Sequence, residues 1–138
     1  VANKDALLPQ VGIDREALAT VVWVGPKGVE AATGSTGRTG RFRVTSVAPG
    51  SDIGFVRVSV NPQGDAFAVW SDGHSLFTSS RRGAGAGWCQ RTDLGLGGLA
   101  QIAPAKNTGM IVWQVPTEHP PSSYIAARRV TACRDHHN

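Results

Sequence analysis

Three observations in the sequence predict an all-β fold. A segment ending in Val-Trp recurs three times, at residues 17–23, 64–70 and 108–113. Around each copy, short apolar and β-branched runs are separated by Gly, Pro, Asn and Asp, the punctuation of a strand meander. No segment sustains the 3.6-residue periodicity of an amphipathic helix, so almost no helix is expected. The spacing is 47 residues from Trp23 to Trp70 and 43 from Trp70 to Trp113. Carried past Asn138 and back in at Val1, the distance to Trp23 is 48. The three steps account for the whole chain of 138 residues. One domain of three repeats is therefore expected, at about 6–52, 53–98, and 99–138 completed by 1–5.

Each repeat divides into four strands. Strand one is predicted over residues 10–14, 56–60 and 99–103. A turn follows, carrying Asp14 in the first repeat, Asn61, Gly64 and Asp65 in the second, and Lys106 and Asn107 in the third. Strand two is the Val-Trp segment. Strand three is predicted over 28–32, 75–79 and 124–127, and strand four from Phe42, from Trp88 and from near Val130. Strand two is the most informative, because successive side chains point to opposite faces. Val21 and Trp23 oppose Thr20 and Val22; Ala68 and Trp70 oppose Phe67 and Val69; Ile111 and Trp113 oppose Met110 and Val112. Both faces are mostly apolar in every copy. Such a strand belongs between two layers, as inner strands of β-propeller blades do. The recurrent tryptophans are accordingly expected in the core.

The predicted architecture is three four-stranded antiparallel blades. Three blades do not close a ring, since propellers have four to eight, so the economical arrangement is half of a six-bladed propeller completed by dimerisation. In that scheme Val1 to Asp5 complete the outer strand begun near Cys133, in the same chain or its partner. The alternative is a β-trefoil, which also has three four-stranded repeats in this length.

The residues carrying the repeat are Pro9-Gln10-Val11-Gly12-Ile13-Asp14 leading to Val22-Trp23, and the stretch 60–65 leading to Ala66-Phe67-Ala68-Val69-Trp70. The third copy is looser, with Ile102-Ala103-Pro104 and a longer loop at 116–121. Over nearly its whole length the chain resembles a family of secreted bacterial β-propeller repeats. That resemblance implies the fold and an extracellular or cell-surface location. It implies no function, because propellers host many unrelated activities. Sialidase-like Asp boxes fit poorly: the nearest stretch, Ser71-Asp72-Gly73, has the wrong spacing and no following Trp.

Composition narrows the class further. No apolar run approaches the ~18 residues of a membrane span, and no signal-peptide pattern is present. The first residue is Val, so a processed or excised chain is expected. Fourteen basic against ten acidic residues give a net charge of +4, and eleven of the bases are Arg. Arg suits carboxylates and phosphates, but the excess is ordinary for a soluble domain. Cys89 and Cys133 fit either one disulfide in an exported protein or two separate thiols. They occupy equivalent places in adjacent repeats, which in a closed propeller lie beyond the ~7 Å Cα limit for a bond. The repeat scheme therefore predicts no Cys89–Cys133 disulfide.

Arg recurs after strand three, as Arg38, as Arg81 and Arg82, and as Arg128 and Arg129. These positions fall on the loop side that also holds Asp14, Glu16 and Asp65. Two readings are open. A ring of Arg binds sulfate, sialate or phosphate through paired hydrogen bonds, or the Arg pair with those acids on a solvated face, at ~0–1 kcal/mol each. Trp88, after the glycine-rich run 83–87, is the candidate exposed aromatic. The C-terminal Asp135, His136 and His137 suit a frayed polar tail better than a metal site. His74 and His119 have no evident nucleophile or carboxylate setting, and no carboxylate pair suits glycoside hydrolysis. No catalytic residue, metal or cofactor is expected.

The function expected is a non-enzymatic, extracytoplasmic binding or scaffold module, meeting glycan or an anionic surface through Arg38, Arg81, Arg82, Arg128, Arg129 and Trp88. Its partner is itself, in a homo-oligomer that closes the propeller; nucleic acid is not expected. The alternative is a structural subunit of a larger surface or virion assembly, and a sialidase-like hydrolase comes third.

Overall fold

The computed structural model describes residues 7–37, 42–117 and 122–133. Among them are eleven strands and no helix. The first sheet holds β1 (Leu7–Ile13), β2 (Leu18–Gly25), β3 (Gly28–Ser35) and β4 (Arg43–Pro49). The second holds β5 (Phe55–Val60), β6 (Ala66–Ser71), β7 (Ser75–Arg81) and β8 (Thr92–Leu96). The third holds β9 (Gly98–Ala105), β10 (Thr108–Pro116) and β11 (Ser123–Thr131). Every sheet is antiparallel with its strands in chain order, and each tryptophan of the Val-Trp segments sits in its sheet's second strand.

The turns form where the sequence places its turn residues. Asp14 ends β1, and its Oδ1 accepts the N–H groups of Glu16 and Leu18 at 2.8 and 3.0 Å. Asn61 and Asp65 close the β5–β6 turn, where Asn61 Oδ1 accepts the Asp65 N–H at 2.9 Å and Gly64 takes a φ of 89°. Asp72 turns β6 into β7 by accepting the N–H groups of His74 and Ser75. These two bonds hold the Asp72 carboxyl below its ordinary range.

Two strand-four expectations need correction. The last strand of the second sheet starts at Thr92 rather than Trp88, because Cys89 instead donates its N–H to Ser80 O at the end of β7. Val130 does not begin a fourth strand of the third sheet. It stays in β11, paired with Gly109. Residues 1–5 and 134–138, assigned above to that outer strand and tail, lie outside the described residues.

The sheets stack in chain order, with β1 against β5 and β5 against β9. Val22, Val24, Val29 and Ala31 of the first sheet meet Val56, Ala68, Trp70 and Phe77 of the second. On its other face the second sheet sends Val69 and Leu76 against Ala100, Ile111 and Trp113 of the third. All six residues of β6 are buried. Trp23, Trp70 and Trp113 are buried, as the apolar surroundings predicted. Burial on both faces does not extend to β10, where Ile111 and Trp113 are buried but Met110 is 42% exposed. The third sheet ends the stack, so among the described residues its far face has no neighbour.

Close approach between sheets depends on small residues. A Cβ at Gly109 would stand 3.1 Å from the ring of buried Phe67, and one at Gly12 only 2.6 Å from Val60 Cγ2. The same convergence overturns the expectation about the cysteines. Cys89 and Cys133 are disulfide-bonded, with Cα atoms 6.5 Å apart. They are not equivalent outer-rim positions. Cys89 lies between β7 and β8, while Cys133 follows directly on β11 and reaches back to β7. Buried Ser80 lets the third sheet's chain in: its Oγ accepts the Cys133 N–H at 3.0 Å and its carbonyl takes the Cys89 N–H.

Two outcomes test this packing. Gly109→Ala overpacks the Phe67 contact and is expected to cost about 1–3 kcal/mol in denaturant unfolding, whereas Gly85→Ala, which meets nothing within 4 Å, serves as the unperturbed control. The disulfide closes a sequence separation of 44 residues, so reduction is expected to cost about 2–4 kcal/mol, read as a lower unfolding midpoint in reductant.

Candidate functional site

One end of the stack gathers the turns between first and second strands and the segment after β7. Arg15 N–H donates to Pro62 O at 3.0 Å, joining the first two turns. Asn61 Nδ2 donates to Ala105 O at 3.0 Å, joining the second to the third sheet. Asp65, itself buried, accepts from Asn61 Nδ2 at 2.9 Å and from Gly83 N–H at 3.0 Å. Asp14 and Asp65 are therefore engaged in bracing turns and connections, through backbone N–H groups and an amide.

Arg81 ends β7 beside this framework and is only 3% exposed. It pairs with Ala66, which lies on the β6 face carrying Trp70, so its side chain runs between the first and second sheets. Nη1 donates to Thr33 Oγ1 at 2.7 Å and Nη2 to Thr20 Oγ1 at 2.5 Å. The guanidinium lies 5.2 Å from the centre of the Trp88 ring, a cation–π distance. Its Nε–H is buried without a partner among the described residues. Burial pulls the guanidinium below its ordinary pKa, and the charge of Asp14 partly offsets this. Among the described residues no carboxylate stands at ion-pair distance from Arg81, so the pairing reading does not describe it.

The other expected site residues are dispersed. Trp88 is half-buried against the core between the first two sheets and stacks on Arg81. Arg82 is half-buried, with its Nε–H unpartnered. Arg128 and Arg129 are exposed on β11, opposite Ile111 and Met110, and so project to opposite faces of the third sheet. They border a groove of about 220 Å³ with Thr78, Ser80, Thr92 and the disulfide. Arg38 lies outside the described residues, as do His119, Asp135, His136 and His137. The structure thus brings Arg81 and Trp88 together and sets Arg128 and Arg129 apart on the outer strand.

A second cavity, of about 270 Å³, opens beside Arg81 between the first two sheets. Thr33, Thr45 and Arg43 line one side and the turn 84–87 the other. Sequence reading missed Arg43, Thr33 and Thr45. A signal exists: Thr33 shares a sheet face with the apolar Val29 and Ala31, and a hydroxyl interrupts that stripe. Among the described residues no group of His, Cys, Asp and Glu could hold a metal ion. Comparison of the chain with family models, with curated proteins and with solved structures returned no match in any of the three.

The burial contrast carries its own test. Arg81→Ala removes the stem packing and leaves the Thr20 and Thr33 hydroxyls without their donor, so a lower thermal unfolding midpoint and altered tryptophan fluorescence are expected. Arg128→Ala and Arg129→Ala, on an exposed strand, are expected to stay within about 0.5 kcal/mol of the parent in thermal unfolding.

Proposed function

We propose that the chain is a non-enzymatic binding and scaffold module, half of a six-bladed β-propeller, which closes with a second copy and presents its loop rims to acidic ligands. The observation that carries this reading is the matching of faces. In both internal interfaces, the tryptophan-bearing face of one sheet packs on the opposite face of the sheet before it. Trp70 and Ala68 thus meet Val22, and Trp113 and Ile111 meet Val69. Two faces are left over, one of each kind. The first sheet's tryptophan-bearing face exposes Val11, Ile13 and Val44 around Trp23. The third sheet's far face exposes Met110 and Ile125 and includes Val112.

Val112 is the repeat equivalent of Val22 and Val69, so the leftover pair repeats the chemistry of the internal pairs. Head-to-tail contact between two three-sheet halves uses both faces twice and leaves none open, which is the closure that ring symmetry favours. Exposed apolar area of this kind marks an association surface. Three separate meanders, each with its strands in chain order, favour a propeller over a trefoil. The Cys89–Cys133 disulfide supports an extracytoplasmic setting, where such bonds persist.

Light scattering on a sizing column is expected to return twice the 14.5 kDa chain mass. Met110→Glu and Val11→Glu, each placing a charge on an open face, are expected to give a folded monomer with an unchanged β-sheet circular dichroism spectrum. A parent chain that remains monomeric at high concentration would sink the ring.

A further inference from the structure

The cavity between the first and second sheets carries chemistry that the ring does not require. Two arginines, Arg81 and Arg43, line it together with the hydroxyls of Thr33 and Thr45. Among the described residues that line it there is no Asp or Glu. The far side is the turn 84–87, two alanines and two glycines, so among the described residues that wall carries no side chain larger than a methyl. A Cβ built at Gly85 meets nothing within 4 Å, which leaves the approach open there.

Arg81 supplies the second, independent observation. It is a cation with 3% of its surface exposed; among the described residues its hydrogen-bond partners are neutral hydroxyls only, and its enclosed Nε–H has no acceptor. A buried charge is costly unless it is paired. Among the described residues, the nearest compensation is the Asp14 charge, acting beyond ion-pair distance. Thr33 Oγ1 accepts from Arg81, which leaves its own O–H proton free to donate to a further group.

We infer that this cavity binds one tetrahedral oxyanion group, sulfate or phosphate, between Arg81 and Arg43, with the Thr33 and Thr45 hydroxyls as further donors. The anion supplies the charge that Arg81 lacks. Charge-assisted hydrogen bonds from Arg to such oxygens are short and directional, and the glycine-bearing turn lets backbone come close to them. The inference deepens the binding-module reading by naming its ligand chemistry. The site lies within a single chain, so it does not depend on ring closure.

Equilibrium dialysis of the intact, disulfide-bonded chain against radiolabelled sulfate, and separately phosphate, at constant ionic strength set with chloride tests it. One saturable anion per chain is expected. Arg43→Gln, at an exposed strand position that should leave the fold intact, is expected to weaken binding about tenfold or more. Arg128→Gln is expected to leave it unchanged. A sulfated disaccharide competing with free sulfate identifies a glycan source, and failure to compete identifies the free ion. Absence of saturable binding, or binding that Arg43→Gln leaves intact or that Arg128→Gln removes equally, overturns the site. The Met110→Glu chain separates the two proposals: it should retain the anion while losing association. A dimer without bound anion refutes the cavity alone, and a monomer that binds anion refutes the ring alone.

Discussion

β6 is covered on both faces, and the rest of the arrangement follows from what that requires. A strand with Ala66, Ala68 and Trp70 on one side and Phe67, Val69 and Ser71 on the other cannot face water on either. It needs a sheet in front and a sheet behind. Burying each large side chain contributes roughly 1.5–3 kcal/mol, and Trp70, Phe67 and Val69 are all fully buried. The middle sheet is thus the template on which the outer two are laid. The inner strands must converge to cover it, so Gly12 and Gly109 sit where β1 meets Val60 and β10 meets Phe67.

The same stacking turns polar residues into structural parts. Apolar contact dominates near Trp70, but toward the turn-bearing end the facing residues become Thr20, Thr33 and Arg81. Arg81 spans the gap between the sheets there, with its stem packed and its fork on two hydroxyls. On the opposite face, Ser80 takes a comparable place between the second and third sheets, admitting the chain that carries Cys133. Polar contacts and a covalent bond therefore hold the layers where the apolar contact thins out. A desolvated cation at one such junction is also what makes the neighbouring cavity chemically distinctive.

Much of the fold is legible in the sequence because strand and turn signals are local. Alternation in the Val-Trp segments places Val22 and Trp23 on opposite faces, and Asp14, Gly64, Asp65 and Asn107 turn the chain where their types suggest. The site was less legible. Recurrence marked Arg81, but recurrence also marked Arg128, and one is enclosed while the other is exposed. Nothing in the spacing distinguishes them, because the difference is the sheet that lies opposite. Arg81 has the first sheet over it; Arg128 and Arg129 lie on the last strand of the stack. Trp88 was separable from the core tryptophans by its glycine-rich flank, yet its stacking on Arg81 depends on how the segment before β8 returns across β7.

What the sequence by itself determined is the repeat, the number of sheets, the second-strand position of the buried tryptophans and the absence of helix among the described residues. These follow from side-chain alternation and turn chemistry, which act over a few residues. Only the tertiary structure decided that Cys89 and Cys133 are bonded, that Arg81 is a buried cation and that Arg43, Thr33 and Thr45 share its cavity. Each of these depends on how closely two sheets approach. That distance is set by the bulk of residues far apart in the chain, such as Gly109 against Phe67, and local sequence does not encode it.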